Sequence, residues 1–189
     1  MAISHRPQRP SLRLQLPAWT PGSYLERDYV RHLEGLKACQ RGQSLPLRRL
    51  DRHSWQLAVT PGQELEISYG LMAVEATVRT NWLDGSGGFL TAAAWALELE
   101  GCRWEPHGLE LMVPEGWQVA TALGAQGKGW LARNYDELID APISLGPLES
   151  LAFAVGGVPH QWVWQGLPQP APLGRWREDL PRLCAAACG

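Results

Sequence analysis

The residues of this 189-residue chain able to bind a metal or move a proton are its five histidines, its four cysteines and a cluster of carboxylates. Asp136, Glu137 and Asp140 stand close together in the stretch from Asn134 to Asp140, which reads as a short helical turn. Paired carboxylates can exchange protons or hold a hard cation. On a solvated turn the simpler chemistry is an ion pair with an arginine such as Arg79 or Arg27, pinning the turn to a sheet. Where such a pair is partly buried, loss of one partner costs roughly 3 to 5 kcal/mol. His5, His32, His53, His107 and His160 are scattered. Zinc-dependent hydrolysis on a helix needs two histidines one turn apart with a glutamate after the first, and no pair here has that spacing. Each histidine therefore reads as a surface or hydrogen-bonded structural residue. Cys39 and Cys102 are isolated, and Cys184 with Cys188 offers two thiols on one helical face where a structural zinc site needs four ligands. No catalytic, metal or cofactor site is expected within the chain.

Composition sets the class that must position these groups. Hydrophobic residues make up 45% and charged residues 19%, with formal net charge −2. That balance suits a globular chain and argues against nucleic acid as a partner. The 20 glycines and 15 prolines are dispersed, as in a domain of many short strands and turns. The amino terminus has no apolar run fit for a secretion signal, and no stretch approaches the roughly 18 to 20 apolar residues of a membrane span. A cytoplasmic protein without a membrane partner is the expectation.

Leu12, Leu14 and Leu16 alternate with Arg13 and Gln15, the pattern of a half-buried strand. Short strands are also expected at 45–50, 55–59, 65–71, 78–83, 109–113, 118–123, 129–132, 151–155 and 161–165. Residues 25–32 fit either one helical turn or an extended connection. Gly85-Ser86-Gly87-Gly88 lacks the spacing and lysine of a phosphate loop and reads as a hairpin. Ala92 to Ala96 has helical propensity. After the proline-rich 167–172, residues 174–188 read as a helix with Trp176, Leu180, Leu183, Cys184 and Ala187 on one face and Pro181 interrupting or kinking it.

The most constrained stretch is Leu16 to Tyr24, Leu-Pro-Ala-Trp-Thr-Pro-Gly-Ser-Tyr. Its prolines exclude helix, Pro21-Gly22 is a turn pair, and Trp19 and Tyr24 bracket the turn with amphipathic rings. Trp19 to Leu25, followed by Arg27-Asp28-Tyr29 and Arg31-His32, resembles the opening signature of the glycyl aminopeptidase family of metallopeptidases. Val78-Arg79-Thr80, Pro114 to Trp117, Tyr135 to Pro142 and Gly157-Val158-Pro159-His160 resemble later strings of the same amino-terminal domain, in order.

The resemblance implies a mainly β fold, an antiparallel β-sandwich over residues 1–166, with 167–189 a linker and short helix leading toward a zinc peptidase domain absent from this chain. It also implies strand rather than helix at Ala92 to Ala96, and a further strand before Leu12 that the ten or so residues there would shorten or omit. Zinc and, in many members, a carboxy-terminal PDZ domain belong to the rest of such an enzyme. The chain itself is expected to be a non-catalytic accessory domain that scaffolds the zinc domain and walls the peptide cleft. Trp19, Pro21, Gly22, Tyr24, Arg27, Arg79, Asp136, Asp140 and His160 are the candidate structural or interdomain contacts. An alternative rests on the ten tryptophans. Trp82, Trp95, Trp104, Trp162 and Trp164 could build an aromatic face for carbohydrate or protein, with Trp162 and Trp164 alternating on one strand.

Overall fold

The computed structural model describes residues 1–20, 23–167 and 172–188. Two compact units emerge, Met1–Met112 with Thr121–Ser144, and Val113–Ala120 with Leu145–Gly189. The first seven strands are β1 (Ala2–His5), β2 (Ser11–Gln15), β3 (Leu33–Gln40), β4 (Gln43–Leu45), β5 (Arg48–Arg49), β6 (Ser54–Ala58) and β7 (Leu65–Leu71). Next come β8 (Trp82–Asp84), β9 (Gly87–Leu90), β10 (Glu98–Leu99), β11 (His107–Leu109), β12 (Gln118–Thr121), β13 (Gly124–Gln126) and β14 (Gly129–Ala132). Helix α1 (Tyr135–Asp140) precedes β15 (Ile143–Gly146), β16 (Glu149–Val155), β17 (Val158–Trp164) and helix α2 (Leu173–Cys188).

In the larger unit two antiparallel sheets, ordered β1-β7-β3-β4 and β10-β2-β6-β5, share one core. Alternation dictates this arrangement: Leu12 and Leu14 of β2, Trp55 and Leu57 of β6, and Leu65, Ile67 and Tyr69 of β7 all turn inward, while intervening residues face out. A mainly β, antiparallel sandwich with one carboxy-terminal helix is thus the fold. The segment before Leu12 does hold a strand, since β1 pairs with β7 from Ala2 opposite Ser68 to His5 opposite Leu65.

Several local expectations are corrected. Strand β3 lacks clean alternation because its pairing with β7 shifts register between Glu34 and Lys37, where Gly35 takes φ +61°. A bulge with a left-handed glycine puts consecutive apolar residues out of phase and hides the strand. Ala92–Ala94 is a single turn of 3-10 helix, where the resemblance implied strand, and the hydroxyls of Tyr69 and Tyr135 donate to the carbonyls of Trp95 and Ala96 just beyond it at 2.6 and 2.7 Å. Two long-range bonds to consecutive carbonyls stop the alanine run from winding further. Val78 and Arg79 precede the strand β8, in a tight loop.

The glycine-rich stretch is a hairpin as expected, with β8 and β9 joined across Asp84 and Gly87. Asp84 accepts bonds from the Ser86 amide and hydroxyl, both 2.7 Å, fixing the turn. Gly88 is required there, because a Cβ would lie 2.9 Å from the Trp82 carbonyl oxygen.

In the second unit β16 and β17 form a hairpin and α2 packs against β16. The helix begins at Leu173 and continues through Pro181 without interruption. Its expected apolar face is incomplete, since Trp176, Leu180 and Cys184 are half-buried whereas Leu183 and Ala187 are exposed. No helix of the described residues is long and apolar enough to cross a membrane.

Candidate functional site

A cleft of about 1330 Å³ lies within the larger unit, and most of the segments singled out in the sequence meet there. Trp19, Arg27, Arg79, Asp136 and Asp140 line it, together with Tyr29, Glu98, Arg103 and Tyr135. Tyr24 is fully exposed and outside the lining. His160 sits on β17, stacked on Phe153 at 5.3 Å with Nδ1 2.9 Å from the Val158 carbonyl oxygen. Pro21 and Gly22 lie outside the described residues.

One side of the cleft is a closed polar network. Asn134 caps α1 by accepting the Glu137 amide at 2.9 Å, an arrangement that asparagine at this position supplies readily. The cap directs Asp136 toward Arg103, whose guanidinium bonds Asp136 at 2.6 Å and Glu98 at 2.9 Å. Burial works against the Arg103 charge, but the bond to Glu98 and the charges of Glu98 and Asp136 outweigh it and raise its pKa. Beneath lies Tyr135, whose ring meets the Arg103 guanidinium at 5.7 Å and His107 at 5.9 Å. Burial pushes the Tyr135 phenol up, and the nearby Glu98 carboxylate pushes it further. Glu137 is held low by its hydrogen bonds from Arg133. The arginine partner of the turn is therefore Arg103, where Arg79 or Arg27 was expected. Nothing in the local pattern around Arg103 marks it; the pairing exists only once β10 and α1 are brought together.

The other side is built from two loops. In the first, the Trp19 indole donates to the Ser23 carbonyl at 2.8 Å and the Arg27 amide to the Ala18 carbonyl at 2.6 Å, so the loop closes on itself and presents Arg27. In the second, the Thr80 hydroxyl donates to the Glu75 carbonyl at 2.9 Å and the Thr77 hydroxyl accepts the Arg79 amide at 3.2 Å. Adjacent carboxylates are already taken: Asp28 by Arg52, and Glu75 by Arg31 at 2.6 Å. Among the described residues no carboxylate pairs with Arg27 or Arg79. Their charges nonetheless reach Tyr29, whose phenol burial pushes up and the two arginines pull back.

Acid–base chemistry has little footing here, because three of the four cleft carboxylates are engaged by arginines. Among the described residues no three histidine, cysteine or carboxylate side chains converge as a metal site would require. Cys102, 3.6 Å from His5 Nε2, has its thiol pushed up to about 11 by burial, which disfavours the reactive thiolate. Of the tryptophans expected to form an aromatic face, Trp104 and Trp162 are exposed. Trp95 and Trp164 are buried, and Trp162 and Trp164 both contact Trp176 of α2, at 6.3 and 5.0 Å.

The fold and cleft thus define an antiparallel β domain with a groove lined by arginines, carboxylates and aromatic rings. Residues 1–147 match the family described as Peptidase M61 N-terminal domain, and the chain belongs to that family. Its structure is similar to that of an aminopeptidase N family protein from Idiomarina loihiensis, with TM-score 0.88 and 33% sequence identity. That match covers 97% of this chain and 32% of the other, so the chain spans about a third of the length of that protein. No curated protein matches the chain.

Proposed function

We propose that the chain is the non-catalytic amino-terminal part of a zinc metallopeptidase resembling glycyl aminopeptidase, scaffolding the catalytic domain and forming one wall of its substrate cleft. The cleft carries this reading, because four of the segments that identify the family from sequence contribute to it or its rim: the Trp19 loop, Arg27 to Tyr29, the Arg79 loop and α1. A groove lined by polar and aromatic groups suits an extended peptide. The zinc-activated water and general base of such an enzyme belong to the catalytic domain of the same polypeptide, and a PDZ domain, where present, also lies outside this chain. The protein works in the cytoplasm.

Two measurements test the reading. The 189-residue chain alone binds no stoichiometric zinc and releases no product from glycyl substrates; either activity would overturn the accessory role. In a peptidase carrying this domain, Trp19→Ala raises KM for peptides and leaves zinc content unchanged. Unaltered KM would reject the cleft wall.

A further inference from the structure

We propose that Arg27 and Arg79, with the Tyr29 hydroxyl beside them, form a carboxylate-binding subsite in the cleft, and that its ligand is the carboxylate of a short peptide. The identity of the ligand as a peptide rests on the cleft-wall reading; the subsite itself rests on the geometry. Arg27 and Arg79 line the same cleft as Tyr29, and both are near enough for their charges to act on its phenol. The backbone at each is held by a local hydrogen bond, from the Arg27 amide to the Ala18 carbonyl and from the Arg79 amide to the Thr77 hydroxyl. The carboxylates that could neutralise them, Asp28 and Glu75, are committed to Arg52 and Arg31.

Arg27 is only partly buried, and its Nε is covered by the protein and has no hydrogen-bond partner. The rest of its guanidinium is what an anion in the cleft would meet, and a carboxylate is the acceptor that a guanidinium fits best. Across the cleft the arrangement is the reverse: Glu98 and Asp136 already satisfy Arg103, and Glu137 satisfies Arg133, so those positions have little attraction left for an anion.

The test titrates the 189-residue chain by calorimetry with Gly-Ala-Ala, with Gly-Ala-Ala-amide, and with Gly-Ala-Glu-amide. Dissociation constants on the order of millimolar are expected for ligands with a carboxylate. Binding of the first and loss of about tenfold for the second assigns the α-carboxylate as the source. Retention by the third alone assigns a side-chain carboxylate. Arg27→Gln and Arg79→Gln are each expected to weaken the preferred peptide by about tenfold, with Arg27→Lys intermediate because it keeps charge and loses the fork. Thermal unfolding of each variant checks that the fold is kept.

Equal binding of the acid and both amides would sink the subsite while leaving the cleft wall standing. No binding of any of the three at about 10 mM would also sink it. Carboxylate-dependent binding in the chain, with KM of the whole peptidase indifferent to Arg27→Gln, would keep the subsite and overturn the cleft-wall reading.

Discussion

The two sides of the cleft use the same residue types to opposite ends. Around Tyr135, one arginine is held between two carboxylates and stacked on an aromatic ring. Around Tyr29, two arginines have no carboxylate among the described residues, and the nearest acidic neighbours in sequence are committed elsewhere. A charge satisfied within the fold contributes to holding it together. A charge left without a partner on a closed loop contributes little to stability and is free to act on something that arrives.

Alkaline titration should show the largest effect. Tyr69 and Tyr135 are raised by burial, so below the ordinary tyrosine pKa both are protonated in folded and unfolded chain alike and their contribution is intact. Above about pH 10 the unfolded chain loses protons that the folded chain keeps, and stability should fall by about 2.7 kcal/mol per pH unit for the two together. Urea unfolding across that range checks it, and Tyr135→Phe should reduce the slope by about 1.4 kcal/mol per pH unit. An unchanged slope in that variant would remove Tyr135 from the account.

Arg103→Met comes next. It removes the cation beside Glu98, whose side chain is only 14% exposed and keeps just the Gln15 amide at 3.1 Å, and beside Asp136. A fully buried pair would cost more, but Arg103 is 39% exposed and water screens the loss, so about 2 kcal/mol is expected from denaturant midpoints. Restoration by Arg103→Lys should be partial, because a point charge cannot bridge both carboxylates as the fork does. Asn134→Ala removes the cap of α1 and should cost about 1 kcal/mol in the same assay. Smallest of all, Arg27→Gln and Arg79→Gln should each shift stability by no more than about 0.5 kcal/mol. If either destabilised the chain as much as Arg103→Met, the contrast between the two sides would collapse.

Legibility followed the range of the interactions. Strands β2, β6 and β7 were readable because their inward residues alternate without a break, and α1 because Asn134 precedes its acidic turn. Strand β3 was not, because the bulge at Gly35 shifts the phase halfway along. The alanine run at 92–94 winds as its propensity suggests, but only for one 3-10 turn, because the carbonyls that follow are taken by hydroxyls of Tyr69 and Tyr135, far away in the chain. Trp19, Arg27, Arg79, Asp136 and Asp140 were recognisable one string at a time; that they line one cleft was not.

By itself the sequence determined the class of fold, the non-helical segment that carries Trp19, and the lack of a zinc-binding helical motif, since each depends on residues within a few positions of one another; the loop at Arg79, read as strand, it did not. Only the tertiary structure decided which arginines are neutralised. Arg103 and Asp136 are 33 positions apart, and their charges interact only because folding brings them to 2.6 Å; the same folding leaves Arg27 and Arg79 near Tyr29 with no carboxylate partner among the described residues.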